Sequence, residues 1–255
     1  MSKSFYSATT ADEAGKEYVE STNTLYDTIK NQKIEEIILP VFKEKHVKSV
    51  LEVGPAGGLW TKKLLDQNVA VTTVDILPVI LEANKKQNPR ARFVLGDATE
   101  IKMKEQFDFI FAKDIIEHIK DDEKFLENMN SHLKDGGIMF LNTQNSLSLN
   151  YIIEGLGNYL AGNKKWCGWD PTHLRFYTYF SLRQKLHKAG FDIINTFGFY
   201  HVPYRYMSLK FLRRIHEHRI FHLVETTNLY NKMPFNIIGW NIGMLAVKKS
   251  EGNAS

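Results

Sequence analysis

Val50-Leu51-Glu52-Val53-Gly54-Pro55-Ala56-Gly57-Gly58 is the stretch that decides the fold of this 255-residue chain. Lys48–Val53 reads as a short apolar strand, Gly54–Gly58 as a turn and Leu59–Gln67 as the start of a helix. Glycines between strand and helix let backbone approach a ligand closely, because no Cβ stands in the way. In an open parallel sheet such a turn lies at the carboxyl edge, where ligands bind. Alone the turn is weak evidence, since many glycine turns only close a tight corner.

The same alternation continues outward. Upstream, Ile29, Ile34, Ile37, Ile38, Val41 and Phe42 give Leu25–Lys45 a helical period, with Pro40 expected to end or bend it. Downstream, Val69–Val74 is a strand ending at Asp75, and Leu77–Asn88 is its helix. Ala91–Leu95 is a third strand, closed by Gly96-Asp97, and Phe107–Ala112 a fourth, followed by Asp114–His118 and a helix over 121–133. Gly136-Gly137 marks the turn into a fifth strand, Ile138–Asn142. Strands separated by helices predict a parallel sheet covered on both faces, with right-handed crossovers.

After Asn145 the rhythm breaks. Residues 146–172, rich in Asn, Gly, Tyr and Trp, read as a cap or substrate loop. Phe180–Ala189 is a helix stopped by Gly190, Phe191–Phe199 a sixth strand, and Asn241–Val247 the closing strand. Between the last two strands, 202–233 is irregular, aromatic and basic. The expected organisation is a single domain over 1–255. It has an N-terminal arm and helix (1–45), a ligand-binding core (46–145), and cap insertions at 146–180 and 200–236.

Composition narrows the class. With 43% hydrophobic and 24% charged residues, the chain matches an ordinary soluble protein rather than a disordered one. No apolar run reaches the roughly 18 residues of a membrane span, and the N-terminus lacks the apolar core of a secretory signal. Cys167 is the single cysteine, which excludes a disulfide framework or thiolate metal cluster and fits a cytoplasmic setting. The net charge of +4 is modest, but Arg205, Lys210, Arg213, Arg214 and Arg219 are opposed locally only by Glu217. This bias suits phosphates or an anionic membrane surface, or simply a solvated helix face.

Acidic residues at successive strand ends sharpen the turn's meaning. Asp75 stands where a carboxylate accepts hydrogen bonds from ribose hydroxyls. Asp97 can meet the exocyclic amine of an adenine, with Ala98 beside the ring. Glu52 is a poor core residue unless it is paired or orients the loop. Each acid has a plainer reading as a helix N-cap, but together they outline an adenosine. A dinucleotide is disfavoured, because Gly54-x-Ala56-Gly57-Gly58 is followed by Leu59 where the fingerprint needs its last glycine. No Gly-Lys-Ser/Thr phosphate loop follows.

Five blocks in order, LEVGPAGGLWT, VTTVD, VLGDATE, FDFIFAKDIIEHIKD and LKDGGIMFLNTQN, resemble the class I S-adenosylmethionine-dependent methyltransferases. THLRFYTYFSLRQKLHKAGFDI extends the likeness to the branch holding ubiquinone-biosynthesis O-methyltransferases and methyltransferases of sugars and secondary metabolites. The resemblance implies a Rossmann-like α/β fold: a seven-stranded, mostly parallel sheet, helices on both faces and an antiparallel last strand. It implies S-adenosyl-L-methionine as cofactor, held at Glu52, Gly54, Gly58, Asp75 and Asp97, with Ala56, Ile76, Ala98 and Lys113 alongside. Ala56 departs from the family, which usually has glycine there, and Gly57 is expected to restore flexibility.

Methyl transfer from a sulfonium asks the protein mainly to align reactants and exclude water. A hydroxyl acceptor adds the need for a general base, a task histidine suits at neutral pH. His118, just after the fourth strand, and His173, in the cap, are the candidates; otherwise each braces local structure. His201, His216, His218 and His222 read as surface or interface residues. His218 and His222 lack a third ligand nearby, so no metal is expected. Ala112-Lys113-Asp114-Ile115 lacks the Asn/Asp-Pro-Pro-aromatic motif of enzymes that methylate base amines, which makes nucleic acid unlikely. Trp166, Trp169, Phe176, Tyr177 and Tyr179 either enclose an acceptor ring or only pack. The aromatic and basic stretch 202–222 suits peripheral membrane contact and a lipid-linked acceptor. The expected activity is O-methylation of a small-molecule, sugar or quinone-like acceptor. The competing readings are a non-catalytic adenosine-binding module and an NAD-dependent oxidoreductase. Oligomeric state is not readable from the sequence.

Overall fold

The strand before the glycine turn, β1 (Ser49–Val53), is buried from Val50 to Val53, as a strand with helices on both faces must be. It pairs in parallel with β2 (Ala70–Asp75) on one side and β4 (Phe107–Lys113) on the other. β3 (Arg92–Leu95) extends the β2 edge, and β5 (Leu133–Gln144) lies beside β4, also in parallel. β7 (Asn241–Lys248) runs antiparallel to both β5 and β6 (Phe191–Phe199). The resulting seven-stranded order is β3-β2-β1-β4-β5-β7-β6, the mostly parallel sheet with an antiparallel last strand that the resemblance implied. The order in which strands are added reverses between β1 and β4, which are parallel, so a crevice opens beyond their carboxyl ends. The computed structural model describes residues 25–164, 166, 168, 170, 172–201 and 219–250. The expected arm, Cys167, Trp169 and most of the basic stretch, as far as residue 218, lie outside the described residues.

Alternate residues of each strand supply two cores. On one face Val50, Phe109, Phe111, Phe140 and Phe197 meet Ile34, Ile38 and Phe42 of α1 (Leu25–Glu44) and Leu64 of α2 (Leu59–Leu65). The rings of Phe111, Phe140 and Phe197 form a stack with centroid spacings of 4.9 and 5.5 Å. On the other face Leu51, Ile110, Met139 and Leu141 meet Phe125, Leu126 and Met129 of α4 (Asp122–His132), with Leu182 and Leu186 of α6 (Tyr179–Lys188). α3 (Pro78–Gln87) links β2 to β3. Full burial of such side chains is worth roughly 1.5–3 kcal/mol each, which makes the sheet a rigid platform for its loops.

Three boundaries differ from expectation. Pro40 does not end α1, which runs on to Glu44; the proline lies on the exposed face, where water can satisfy the carbonyl it leaves without a donor. Gly136-Gly137 is not the start of β5. Leu133 already pairs with Phe107, and Gly136, at φ 71°, lets the strand bend through a register shift and continue. Residues 149–160 are not loop but helix α5 (Leu149–Leu160), whose N-cap Ser148 accepts from the Tyr151 amide. Among the described residues no helix is long and apolar enough to cross a membrane.

Candidate functional site

The glycine turn takes left-handed backbone at three positions: Gly54 (φ 68°), Ala56 (φ 47°) and Gly58 (φ 84°). A Cβ on Gly54 would lie 2.8 Å from Ile115 Cδ1, and one on Gly58 would collide with Asn84 Oδ1. The strain of the family departure therefore sits on Ala56's own backbone rather than being relieved at Gly57, whose φ is not positive.

 Ala56 keeps that conformation because the turn is held from below by a chain of buried polar contacts. Glu52 Oε2 lies 2.5 Å from Thr61 Oγ1, and Thr61 Oγ1 accepts from Asn84 Nδ2 at 2.7 Å. Asn88 Nδ2 then donates to Asn84 Oδ1 at 2.8 Å and to the Gly58 carbonyl at 2.9 Å. Burial pushes the Glu52 carboxyl up to about 8, so it suits a bracing hydrogen bond better than a standing charge. Thr61, Asn84 and Asn88 escaped the sequence reading; the only signal was two asparagines four apart on one helix.

The acids at the strand ends each give one oxygen to their own loop. Asp75 Oδ1 accepts from the Leu77 amide at 2.8 Å, and burial raises its carboxyl to about 6. Asp97 Oδ1 accepts from the Thr99 amide and hydroxyl, both at 2.8 Å. Neither acid is a helix N-cap, since Leu77 takes that place before α3 without a side-chain bond and no helix follows Asp97; each braces its own loop, and a carboxylate has capacity for further donors. Both acids line one cavity of about 600 Å³ together with Gly54, Ile76, Ala98, Ile115, His118 and Thr172. Ile76 is 62% exposed on its wall, an apolar surface suited to covering by a planar ring. A smaller pocket of about 180 Å³ adjoins it, sharing Gly54, Asp75 and Ile115, and takes in Glu52, Ala56, Lys113 and Asp114. Gly58 lines neither. It faces a larger crevice of about 990 Å³ on the outer side of the turn, among Lys62, Lys63, Asp66 and Arg90, which contains none of the strand-end acids.

Beyond β4 the charges are tightly paired. Asp114 sits at φ 51° and receives Lys113 Nζ at 2.7 Å and Lys30 Nζ at 2.9 Å. Burial works against its charge, but the two ammonium groups hold the carboxyl well below the usual range. Lys30 is itself lowered to about 8 by burial. It comes from α1, where the sequence offered only a polar position on an amphipathic helix. Glu117 is fully buried; its Oε2 accepts from Thr143 Oγ1 at 2.8 Å, and burial with the charge of Asp114 raises it to about 8.

The two candidate bases, read separately from the sequence, meet in space. The rings of His118 and His173 lie edge to face with centroids 4.6 Å apart. Burial lowers both, and the neighbouring His118 helps bring His173 to about 4, so both rings are neutral at pH 7. The cap is pinned there by the Leu174 amide on the Glu117 carbonyl (2.9 Å) and by Arg175 on the Lys120 carbonyl (2.7 Å). Glu117, His118 and His173 also bring a carboxylate oxygen and two ring nitrogens within 4.8 Å of one another, a donor set a divalent ion could use.

Other candidates resolve differently. Tyr177 is core: its hydroxyl donates to Asp122 at 2.7 Å, inside an ion-pair cluster with Arg175 and Lys185. Trp166 and Phe176 pack on Tyr151 at 5.2 and 4.7 Å, within the cap, and Tyr179 packs against the core. His201 and His222, read as surface or interface residues, are packed inside the chain. His201 is held between Glu225 (3.0 Å) and the Phe235 carbonyl (2.8 Å), while His222 is buried against Tyr200. The reason is that residues 219–238 fold back against β6 and α1 instead of standing out as a cap rim. His216 and His218 lie outside the described residues.

Comparison with known proteins gives the family and the fold. A family model described as a methyltransferase domain matches residues 26–196. The ubiquinone biosynthesis O-methyltransferase of Rickettsia canadensis is 27% identical over 136 residues, 51% of this chain and 55% of that protein. The protein of the same name from Pelagibacter ubique is 27% identical over 142 residues, 52% and 59% of the two chains. The chain thus matches little more than half the length of these curated relatives. Among solved structures, the N-methyltransferase NodS of Bradyrhizobium japonicum with S-adenosyl-L-homocysteine superposes with a TM-score of 0.57 at 13% identity, covering 90% of each chain. An S-adenosylmethionine-dependent methyltransferase from Clostridium acetobutylicum gives 0.57 at 14%, covering 86% and 92%. Both likenesses are of fold.

Proposed function

The chain belongs to the class I S-adenosylmethionine-dependent methyltransferase family, and from that premise we propose that it methylates a hydroxyl of a small organic acceptor. The observation that carries the reading is that Asp75, Asp97 and His118, far apart in sequence, line one cavity. The residues present fit the donor. Asp75 accepts from ribose hydroxyls and Asp97 from the adenine amine, while Ile76, Ala98, Ile115 and Ile119 supply apolar walls for the ring. Gly54 keeps the backbone open where a side chain would meet Ile115. Glu52 acts through Thr61 to hold the turn, and Lys113 acts through Asp114.

When bound, the donor supplies an activated methyl carbon, and the chain's own groups do the rest. The cap over His118 and His173 excludes water from the reacting oxygen. A neutral imidazole at this edge takes the hydroxyl proton. His118 has that role because it lines the cofactor cavity, with His173 packed on its ring. The relatives' names favour a quinone-like acceptor; a sugar or other metabolite fits the same chemistry. The stretch 202–222 extends the reading to a lipid-linked acceptor met at an anionic surface, which co-sedimentation with anionic vesicles tests.

The experiment is incubation with methyl-labelled S-adenosylmethionine and a panel of catechols, hydroquinones and sugars, following label and S-adenosylhomocysteine. Label on an acceptor oxygen supports the reading. Cofactor binding without release of S-adenosylhomocysteine on any acceptor would make the chain a binding module instead.

A further inference from the structure

The hydrogen bonds around Thr172 settle which ring nitrogen of His118 carries the proton. The Thr172 hydroxyl has one hydrogen, and its Oγ1 lies 2.6 Å from Asp170 Oδ1, which also accepts the Thr172 amide at 2.8 Å. Burial works to raise the Asp170 carboxyl, but these two donors, with His173 and His118, hold it below the usual range. An ionised carboxylate only accepts, so the hydroxyl hydrogen is committed to it. The same Oγ1 is 3.1 Å from His118 Nδ1, 54 residues away in the chain. With its hydrogen spent, the oxygen can only accept there. Nδ1 is therefore the protonated nitrogen of the neutral ring, and Nε2 is its acceptor nitrogen.

We propose that Asp170 and Thr172 are positioning residues that hold His118 in the Nδ1–H tautomer, making Nε2 the atom that takes the acceptor's proton. This rests on the methyl-transfer reading for its purpose, but not for its geometry. His118 Nε2 receives the hydroxyl proton as the acceptor oxygen bonds to the methyl carbon and the methyl–sulfur bond breaks, its electron pair returning to sulfur. A sulfonium becomes a neutral sulfide, the acceptor becomes a methyl ether, and the positive charge ends on the imidazolium. Asp170 stabilises that charge through Thr172, and Asp114 adds to it, while the neutral His173 ring packs against the imidazole. A histidine side chain free in water prefers the opposite tautomer, so the ring needs such a partner. The relay lies in the cap and the ring on the core. Docking of the cap, through the Leu174 amide on the Glu117 carbonyl, therefore also sets the base.

Two-bond ¹H–¹⁵N correlation spectra of histidine-labelled protein read the tautomer without any turnover. The expected result in the wild type is a protonated Nδ1 and an unprotonated Nε2 for His118. Thr172→Val should lose that pattern and lower kcat about 10–100-fold, near the low end of what a general base contributes. Thr172→Ser should restore both tautomer and kcat, which a purely structural role for the threonine methyl would not predict. A wild-type ring protonated on Nε2 overturns the assignment and leaves the methyl-transfer reading standing. An unchanged kcat in Thr172→Val, with the tautomer altered, overturns the positioning role.

Discussion

Replacing Asp75 with asparagine should stabilise the free protein and weaken its hold on the cofactor. Burial raises this carboxyl from 3.8 to about 6, so its charge is disfavoured in the folded chain. The folded state binds more protons than the unfolded one between about pH 4 and 6, and stability falls as pH rises through that window. Above pH 6 the full cost is present. A shift of about two units corresponds to roughly 3 kcal/mol, which solvent contact at the cavity mouth reduces to about 1–2 kcal/mol. Asparagine keeps the acceptor for the Leu77 amide and removes the charge. At pH 7.5 the melting temperature of free Asp75→Asn should rise by about 2–8 °C, at 2–4 °C per kcal/mol for a chain this long. The same substitution loses hydrogen bonds from ribose to a charged acceptor, worth about 1.5–3 kcal/mol, or roughly 10–150-fold in affinity. Because the ionised form binds, wild-type affinity for S-adenosylhomocysteine should also fall about tenfold between pH 7 and 5, and this slope should vanish in the variant. Scanning fluorimetry and calorimetry read all three quantities. An unchanged or lower melting temperature in the variant, or a flat wild-type pH profile, refutes the argument.

Other outcomes follow from neighbouring contacts. Thr61→Val leaves Glu52 and Asn84 without their shared hydroxyl and should cost about 1–3 kcal/mol in urea unfolding, with weaker cofactor binding as the turn loosens. Ala56→Gly removes left-handed strain of about 1–2 kcal/mol but adds chain freedom worth about 0.5–1 kcal/mol. Its melting temperature should therefore lie between that of wild type and about 6 °C above it, and a fall would show that the alanine methyl packs usefully. If His118 works as a base rather than a ligand, dialysis against EDTA leaves turnover unchanged, whereas activity lost to EDTA and restored by a divalent ion would assign Glu117, His118 and His173 to a metal.

What could be read from sequence depended on how local its cause was. The strands β1, β2 and β3 were legible because short apolar runs ended in Gly or Asp, and the acids at those ends were legible for the same reason. α5 was not: Gly155, Gly157, Asn150 and Asn158 weaken its helical signal, and only the Ser148 cap starts it. Gly136-Gly137 looked like a boundary, since a bend within a strand and a turn before one use the same residues. His118 and His173 were each legible as candidate bases, but their contact arises from the cap's docking on the core. Lys30, Thr61, Asn84 and Asn88 were missed because polar positions on a helix read as solvent-facing until the partner is known. His201 and His222 were misplaced at the surface for the converse reason.

The central claim is that Asp75 and Asp97, at adjacent strand ends, hold an adenosine cofactor in the cavity they share. Calorimetric titration of S-adenosylhomocysteine into the wild type and the double variant Asp75→Ala/Asp97→Ala tests it most directly. The account predicts one-site binding by the wild type, and loss of measurable heat in a variant that keeps its circular dichroism and cooperative melting. Equal affinity in the two folded proteins, or no binding by the wild type, would contradict it.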